Sequence, residues 1–259
     1  MSTDKFGTQQ KEFLRFIKLL SDNDLLDKVI VVGSWAEYIY AQCGLLKDFS
    51  SNLKTLDLDF LIKNMRLPKI PASLTSIAAN AGYDILHDYL EDTTKIVSPE
   101  GLEIEFLINQ MGSGGQNILK TNLGVNAQAL RHLDITLRNT VTVDFFSMSI
   151  TVPTPEAYVI GKMVINDKRK SKAEKDQEAV RNLMPYLDQE AFQEVYNGLF
   201  KKEQKAVDEF IENYGATFDR NKLESGVIVD DVLDHATAAA AAQNSQLKLQ
   251  KEIEELLKS

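Results

Sequence analysis

The chain has 259 residues, of which 44% are hydrophobic and 26% charged, a balance that suits one large or two modest globular domains. A net charge of −9 excludes an overall basic field that would draw it to nucleic acid or acidic membranes, leaving only local patches for such contacts. The single cysteine, Cys43, excludes an intramolecular disulfide, and neither a secretory signal pattern nor an apolar run of membrane-spanning length is present, so the reading is a soluble cytoplasmic protein without a membrane partner.

Phe13, Phe16, Ile17 and Leu20 recur at helical spacing, which predicts an amphipathic helix over Gln9 to Leu20. Val29 to Val32 is a short β-branched run, read as a buried strand. Trp35 to Cys43 reads as a helix, with Ser34 as its cap and Gly44 as its stop. Lys54 to Ile62 reads as a strand, ended by the proline-bearing segment Arg66 to Pro71. Ala72 to Ala81 reads as a helix closed by Gly82, and Thr94 to Val97 and Leu102 to Ile108 as strands around a turn.

The glycine-dense segment Met111 to Asn117 lacks the lysine and spacing of a P-loop and reads as a surface loop. Ala127 to Asp134 reads as a helix, and Val141 to Phe146 and Ser149 to Val152 as strands. Thr154-Pro155 is a helix start, with a capping hydroxyl and proline at the first helical position. Almost everything beyond it reads as helical. These elements divide the chain near Val152 into an α/β domain with an N-terminal helix (1–152) and a helical domain (153–259). The Ala238 to Ala242 run and the charged segment Leu247 to Leu257 read as an appended hairpin or interaction arm.

Chemistry concentrates on the strand Thr55-Leu56-Asp57-Leu58-Asp59-Phe60-Leu61-Ile62. Side chains two apart in a strand share a face, so Asp57 and Asp59 emerge together. Like charges held that close repel, and one takes up a proton unless a cation neutralises the pair. A hard divalent ion such as magnesium suits such oxygen ligands. Together with the Gly33-Ser34 turn opening a helix, the pair points to an enzyme handling a nucleoside triphosphate. Glu103 and Glu105 also share one strand face, with Leu102, Ile104 and Phe106 on the other.

The order of a hydrophobic strand, Gly33-Ser34, a helix, and a strand carrying Asp57-x-Asp59 resembles the nucleotidyltransferase superfamily related to DNA polymerase beta. The resemblance implies an α/β (α+β) fold, a mixed sheet flanked by helices, followed here by a helical domain. It implies that Gly33 and Ser34 hold the triphosphate, and that Asp57 and Asp59 bind two magnesium (or manganese) ions, with a third acid on a neighbouring strand completing the site. Glu105, within Ile104-Glu105-Phe106-Leu107, matches that third acid and is also placed to help deprotonate the acceptor. The segments 127–134 and 152–158 look like a bacterial nucleotidyltransferase-like branch whose helical part is similar to toxin components of the AbiEii type. In that branch a proline-led helix carries a lysine, then an arginine and a Lys-Asp pair, matched here by Lys162, Arg169 and Lys175-Asp176. The implied reaction transfers a nucleoside monophosphate from an NTP such as ATP to an RNA, protein or small-molecule hydroxyl. A toxin–antitoxin setting, with an antitoxin-type protein partner, is implied with it.

Lys162, Arg169 and Asp176 are spaced by sevens and share a face on a continuous helix, but the polar stretch 166–172 equally suits a break. Lys162 interrupts the apolar stretch Tyr158 to Ile165, and a buried lysine needs an anionic partner, for which phosphate serves. Lys168, Lys170 and Lys172 read as readily as a solvated linker. Trp35 and Tyr38 border a base pocket or pack in the core. His87, His132 and His235 lie in no metal-ligand spacing. The alternative to an enzyme is a catalytically silent fold serving as a binding or regulatory module.

Overall fold

The structure, a computed structural model, describes residues 3–51, 53, 55–63, 69–87, 92–110, 117–168 and 172–215. The expectations for Arg169, Lys170, His235, residues 64–68 and 111–116, and the 238–242 and 247–257 segments fall outside those residues.

Helix α1 (Thr3–Asp22) leads into strand β1 (Val29–Val32), helix α2 (Ser34–Gln42) and strand β2 (Asp57–Ile62). Helix α3 (Leu74–Asn80) precedes β3 (Asp84–His87), β4 (Thr94–Val97), β5 (Glu103–Asn109), β6 (Ile118–Lys120) and β7 (Asn126–Leu130). The one-turn helix α4 (Asp134–Arg138) and the hairpin of β8 (Thr140–Phe145) and β9 (Met148–Pro153) come next. Helices α5 (Pro155–Ile165), α6 (Ala173–Leu183), α7 (Gln189–Asn197) and α8 (Lys201–Tyr214) follow, as the helical reading of this half expects.

The main sheet is mixed, in the order β1-β2-β5-β4-β3, with β7 also beside β5 and β6 beside β7. Strand β5 is its hub. It runs parallel to β2 on one edge; its other edge is shared by antiparallel β4 and, further along, parallel β7. One face of the sheet, carrying Val31, Leu58, Phe60, Ile104 and Phe106, belongs to the large apolar core. Phe13, Phe16, Ile17 and Leu20 of α1 are fully buried in that core, as their spacing predicts. Residues from α5, α6 and α8, among them Ile160, Val180 and Phe210, join the same core.

The opposite face has a smaller apolar cluster of Ile30, Val32 and Leu61, flanked by Leu107, Leu133 and Leu137. Asp57 and Asp59 precede Leu61 on this face, and Glu103 and Glu105 precede Leu107. Each strand therefore begins with acids and continues into apolar contact. The acidic end lies where β1 runs into the Gly33 turn.

The region 126–134 departs from the sequence reading. It is not a helix: Asn126–Leu130 forms β7, with Ala127 and Ala129 buried and Asn126, Gln128 and Leu130 half-buried. Backbone groups along the edge of β5 need partners, and parallel pairing with β7 satisfies them, which overrides the helix preference of Ala, Gln and Leu. The carboxylate strand begins at Asp57 rather than Lys54, and the short strands β3 and β6 were not foreseen. Thr154 does cap α5, accepting from the Ala157 amide at 3.3 Å. Of the two readings for 162–176, the break is realised. Helix α5 stops at Ile165, a 3₁₀ turn spans Asn166–Lys168, and α6 starts at Ala173.

Candidate active site

Gly33 ends β1 with φ +68° and ψ −157°, a backbone conformation that side-chain-bearing residues rarely adopt. This puts Gly33, not Ser34, at the capping position of α2. Ser34 is already inside the first turn, and the cap position itself carries no side chain to bond the first amides. A β-carbon on Gly33 would lie 2.8 Å from Asp59 Oδ2. The turn and the carboxylate strand, distant in sequence, are thus in direct contact.

Register fixes the acids. Val32 is opposite Asp59 across β1 and β2, Asp59 is beside Glu105 across β2 and β5, and Asp57 is beside Glu103. Asp57 is exposed, whereas Asp59 is partly covered. Burial first, then the Glu105 and Asp57 charges, push the Asp59 carboxyl up to about 6, while Lys172 and Lys162 pull the other way. Asp59 is therefore reluctant to stay charged without additional positive charge nearby.

Glu103 and Glu105 are not left bare. Lys95, opposite Glu105 on β4, reaches Glu103 Oε2 at 2.5 Å and Glu105 Oε1 at 2.9 Å. Both glutamates hold its ammonium group charged well above the usual lysine range. Sequence reasoning missed this lysine. Its signal was the outward position in Thr94-Lys95-Ile96-Val97, alternating with two buried neighbours, in the strand just ahead of Glu103-Ile104-Glu105.

The Lys162 ammonium meets Asp176 Oδ1 at 2.8 Å across the α5–α6 break, which gives this lysine an internal anionic partner. Asp176 is accordingly buried, at 1% exposure, as that pairing partner. Lys162 also sits 5.1 Å from the Tyr158 ring centroid, and the Tyr158 hydroxyl donates to Glu37 Oε1 at 2.5 Å. Burial raises the Glu37 carboxyl above its ordinary range, against the opposing effects of the Tyr158 hydrogen bond and of Lys162. A polar chain Glu37–Tyr158–Lys162–Asp176 thereby ties α2, at the turn, to α5 and α6. Lys172, read as a solvated linker residue, is exposed yet its field reaches Asp59.

Trp35 and Tyr38 belong to the core, not to a base pocket. Trp35 is fully buried and stacked on Phe13 at 4.4 Å, and Tyr38 meets both Phe13 and Trp35 edge-on. Trp35 and Tyr38 lie on the buried side of α2, away from the half-exposed Ser34 and Glu37. His132 pairs through Nδ1 with Glu203 at 2.8 Å and through Nε2 with Lys168 at 2.7 Å.

Asp57 and Asp59 have the chemistry a hard divalent ion requires, and the elevated Asp59 carboxyl fits a site that gains from added positive charge. Among the described residues, no group of three His, Cys, Asp or Glu is drawn together as a metal-binding set. The engagement of Glu105 by Lys95 is consistent with that. Among the described residues, no helix is long and apolar enough to cross a membrane.

The family model described as "Nucleotidyltransferase" matches residues 11–204. No curated protein matches the chain. Among solved structures, an antigenic nucleotidyltransferase-like protein from Paracoccidioides brasiliensis is similar at 14% identity and a TM-score of 0.44, over 87% of this chain and 93% of that one.

Proposed function

The chain belongs to a nucleotidyltransferase family, and from that premise we propose that it transfers a nucleoside monophosphate from an NTP to an acceptor hydroxyl, releasing pyrophosphate. One observation carries the reading: the Asp59 carboxylate lies against the Gly33 turn and beside Glu105 on the neighbouring strand.

Gly33 keeps the turn free of side-chain bulk, so that a triphosphate can approach the backbone and the N-terminal amides of α2, which favour anions. Ser34, in the first turn, adds a hydroxyl. Asp57 and Asp59 would hold magnesium or manganese, with Glu105 flanking them. When bound, the ion supplies charge neutralisation at the reacting phosphorus. Lys172 and Lys162 add a positive field at the same spot. Lys162 is held in place by Asp176 and Tyr158, so its part is to position charge rather than to grip phosphate freely. Arg169 is the further cation proposed for the nucleotide. The likeness to AbiEii-type proteins favours RNA or a protein as acceptor, in a toxin–antitoxin setting.

The test is calorimetric titration with magnesium and each NTP, followed by incubation of labelled NTP with cell RNA and protein. Binding and transfer that disappear in Asp57→Ala and Asp59→Ala support the proposal. Absence of metal-dependent nucleotide binding in the wild type overturns it. The Lys95 pairing favours a second reading, a silent module that binds nucleotide without transferring it. Binding that depends on Asp59, with no label reaching any acceptor, is the outcome specific to that reading.

A further inference from the structure

The row of acids at the end of β2 and β5 has a cation built into it. Lys95 stands opposite Glu105 on β4, while Glu105 stands beside Asp59 on the other side of β5. The Lys95 ammonium contacts both Glu103 and Glu105. Strand β4 lies on the far side of β5 from β2, so Lys95 reaches Glu105 from the side opposite Asp59. Lys95 is 31% exposed, and its two carboxylate partners are 41% and 39% exposed, so the trio is open to water rather than locked in the core.

A site that clamps a displacement between two divalent ions needs carboxylates that can be shared between ions about 4 Å apart. Here one of the carboxylates such sharing requires is already satisfied by an ammonium group. Lysine is a compact charge with several donors, suited to replacing an ion's charge but not its coordination. Resting on the reading that Asp57 and Asp59 hold a divalent ion, we propose that Lys95 serves as the second cation of this site. The chain then takes one divalent ion, at Asp57 and Asp59, and Glu105 is not among its ligands. Lys95 is a positioning residue: it holds Glu105 and sets how many ions the acidic row accepts.

The experiment is a Mn²⁺ titration of the full chain followed by electron paramagnetic resonance, on wild type, Lys95→Met, Lys95→Arg and Asp59→Asn. The expected result is one ion per wild-type chain, two per Lys95→Met chain, and one per Lys95→Arg chain, where the charge is kept. Two ions in the wild type overturn the proposal and leave the Asp57–Asp59 reading standing, as does an unchanged single ion in Lys95→Met. No ion that Asp59→Asn removes overturns that underlying reading, and this proposal with it. Circular dichroism accompanies each variant. If Lys95→Met does not fold, Lys95→Gln takes its place, and the wild-type count remains decisive by itself.

Discussion

Gly33 and Asp59 are close enough that a β-carbon on the glycine would lie 2.8 Å from the carboxylate oxygen. The turn that ends β1 and the acid on β2 are thus mutually dependent parts. The glycine is required twice over, by its φ of +68° and by this close approach.

Gly33→Ala should therefore lose stability and binding together. Forcing an L-residue into this backbone costs about 1–3 kcal/mol, and the new methyl must displace the Asp59 side chain. Urea denaturation should register the loss of stability. Metal-dependent nucleotide binding should weaken by more than tenfold, measured by calorimetry.

Asp59 should leave a signature in the pH dependence of stability. Its folded-state value of about 6 lies above the unfolded value, so between about pH 4 and 6 the folded state binds more protons. Stability from this group is therefore greatest below about pH 4 and declines as pH rises through about 6. Asp59→Asn should remove that decline and stabilise the protein at pH 7 by on the order of 2 kcal/mol, while abolishing metal binding. Denaturant midpoints across the pH range check both the sign and the window.

Lys162→Met should destabilise by about 2 kcal/mol, through loss of the charge-assisted hydrogen bond that its ammonium donates to the buried Asp176. The double variant Lys162→Met/Asp176→Leu should recover most of that stability, since the buried carboxylate is removed together with its lysine. If the pair also positions charge for the nucleotide, the recovered fold should still bind NTP more weakly than wild type. A double-mutant cycle combined with nucleotide titration separates the two effects.

Thr154→Ala should cost about 1 kcal/mol, through loss of the hydroxyl that accepts from Ala157 at the start of α5. Nucleotide binding should be unchanged, because Thr154 contacts neither the acids nor the turn. Thermal melting is sufficient to measure it.

Much of the fold was legible wherever a local pattern was strong. The α1 stripe of Phe13, Phe16, Ile17 and Leu20, the β1 and β2 strands, and the Thr154-Pro155 start are each written in a few adjacent residues. Residues 126–130 were not legible, because Ala, Gln and Leu favour a helix and only the edge of β5 makes them a strand. Trp35 and Tyr38 were ambiguous for a related reason: an aromatic beside a turn serves a pocket or a core, and the partner decides. Phe13, from another helix, decided it.

The same division runs through the site. By itself the sequence determined that Asp57 and Asp59 share a strand face and that Gly33 opens a helix, because strand alternation and glycine's backbone freedom are local properties. Only the tertiary structure decided which groups those acids meet. The parallel pairing of β2 with β5 brought Glu105 beside Asp59, the antiparallel return of β4 brought Lys95 to Glu105, and the break between α5 and α6 gave Lys162 to Asp176. Charge interactions depend on separation in space rather than along the chain, so their partners were settled by strand register and helix packing.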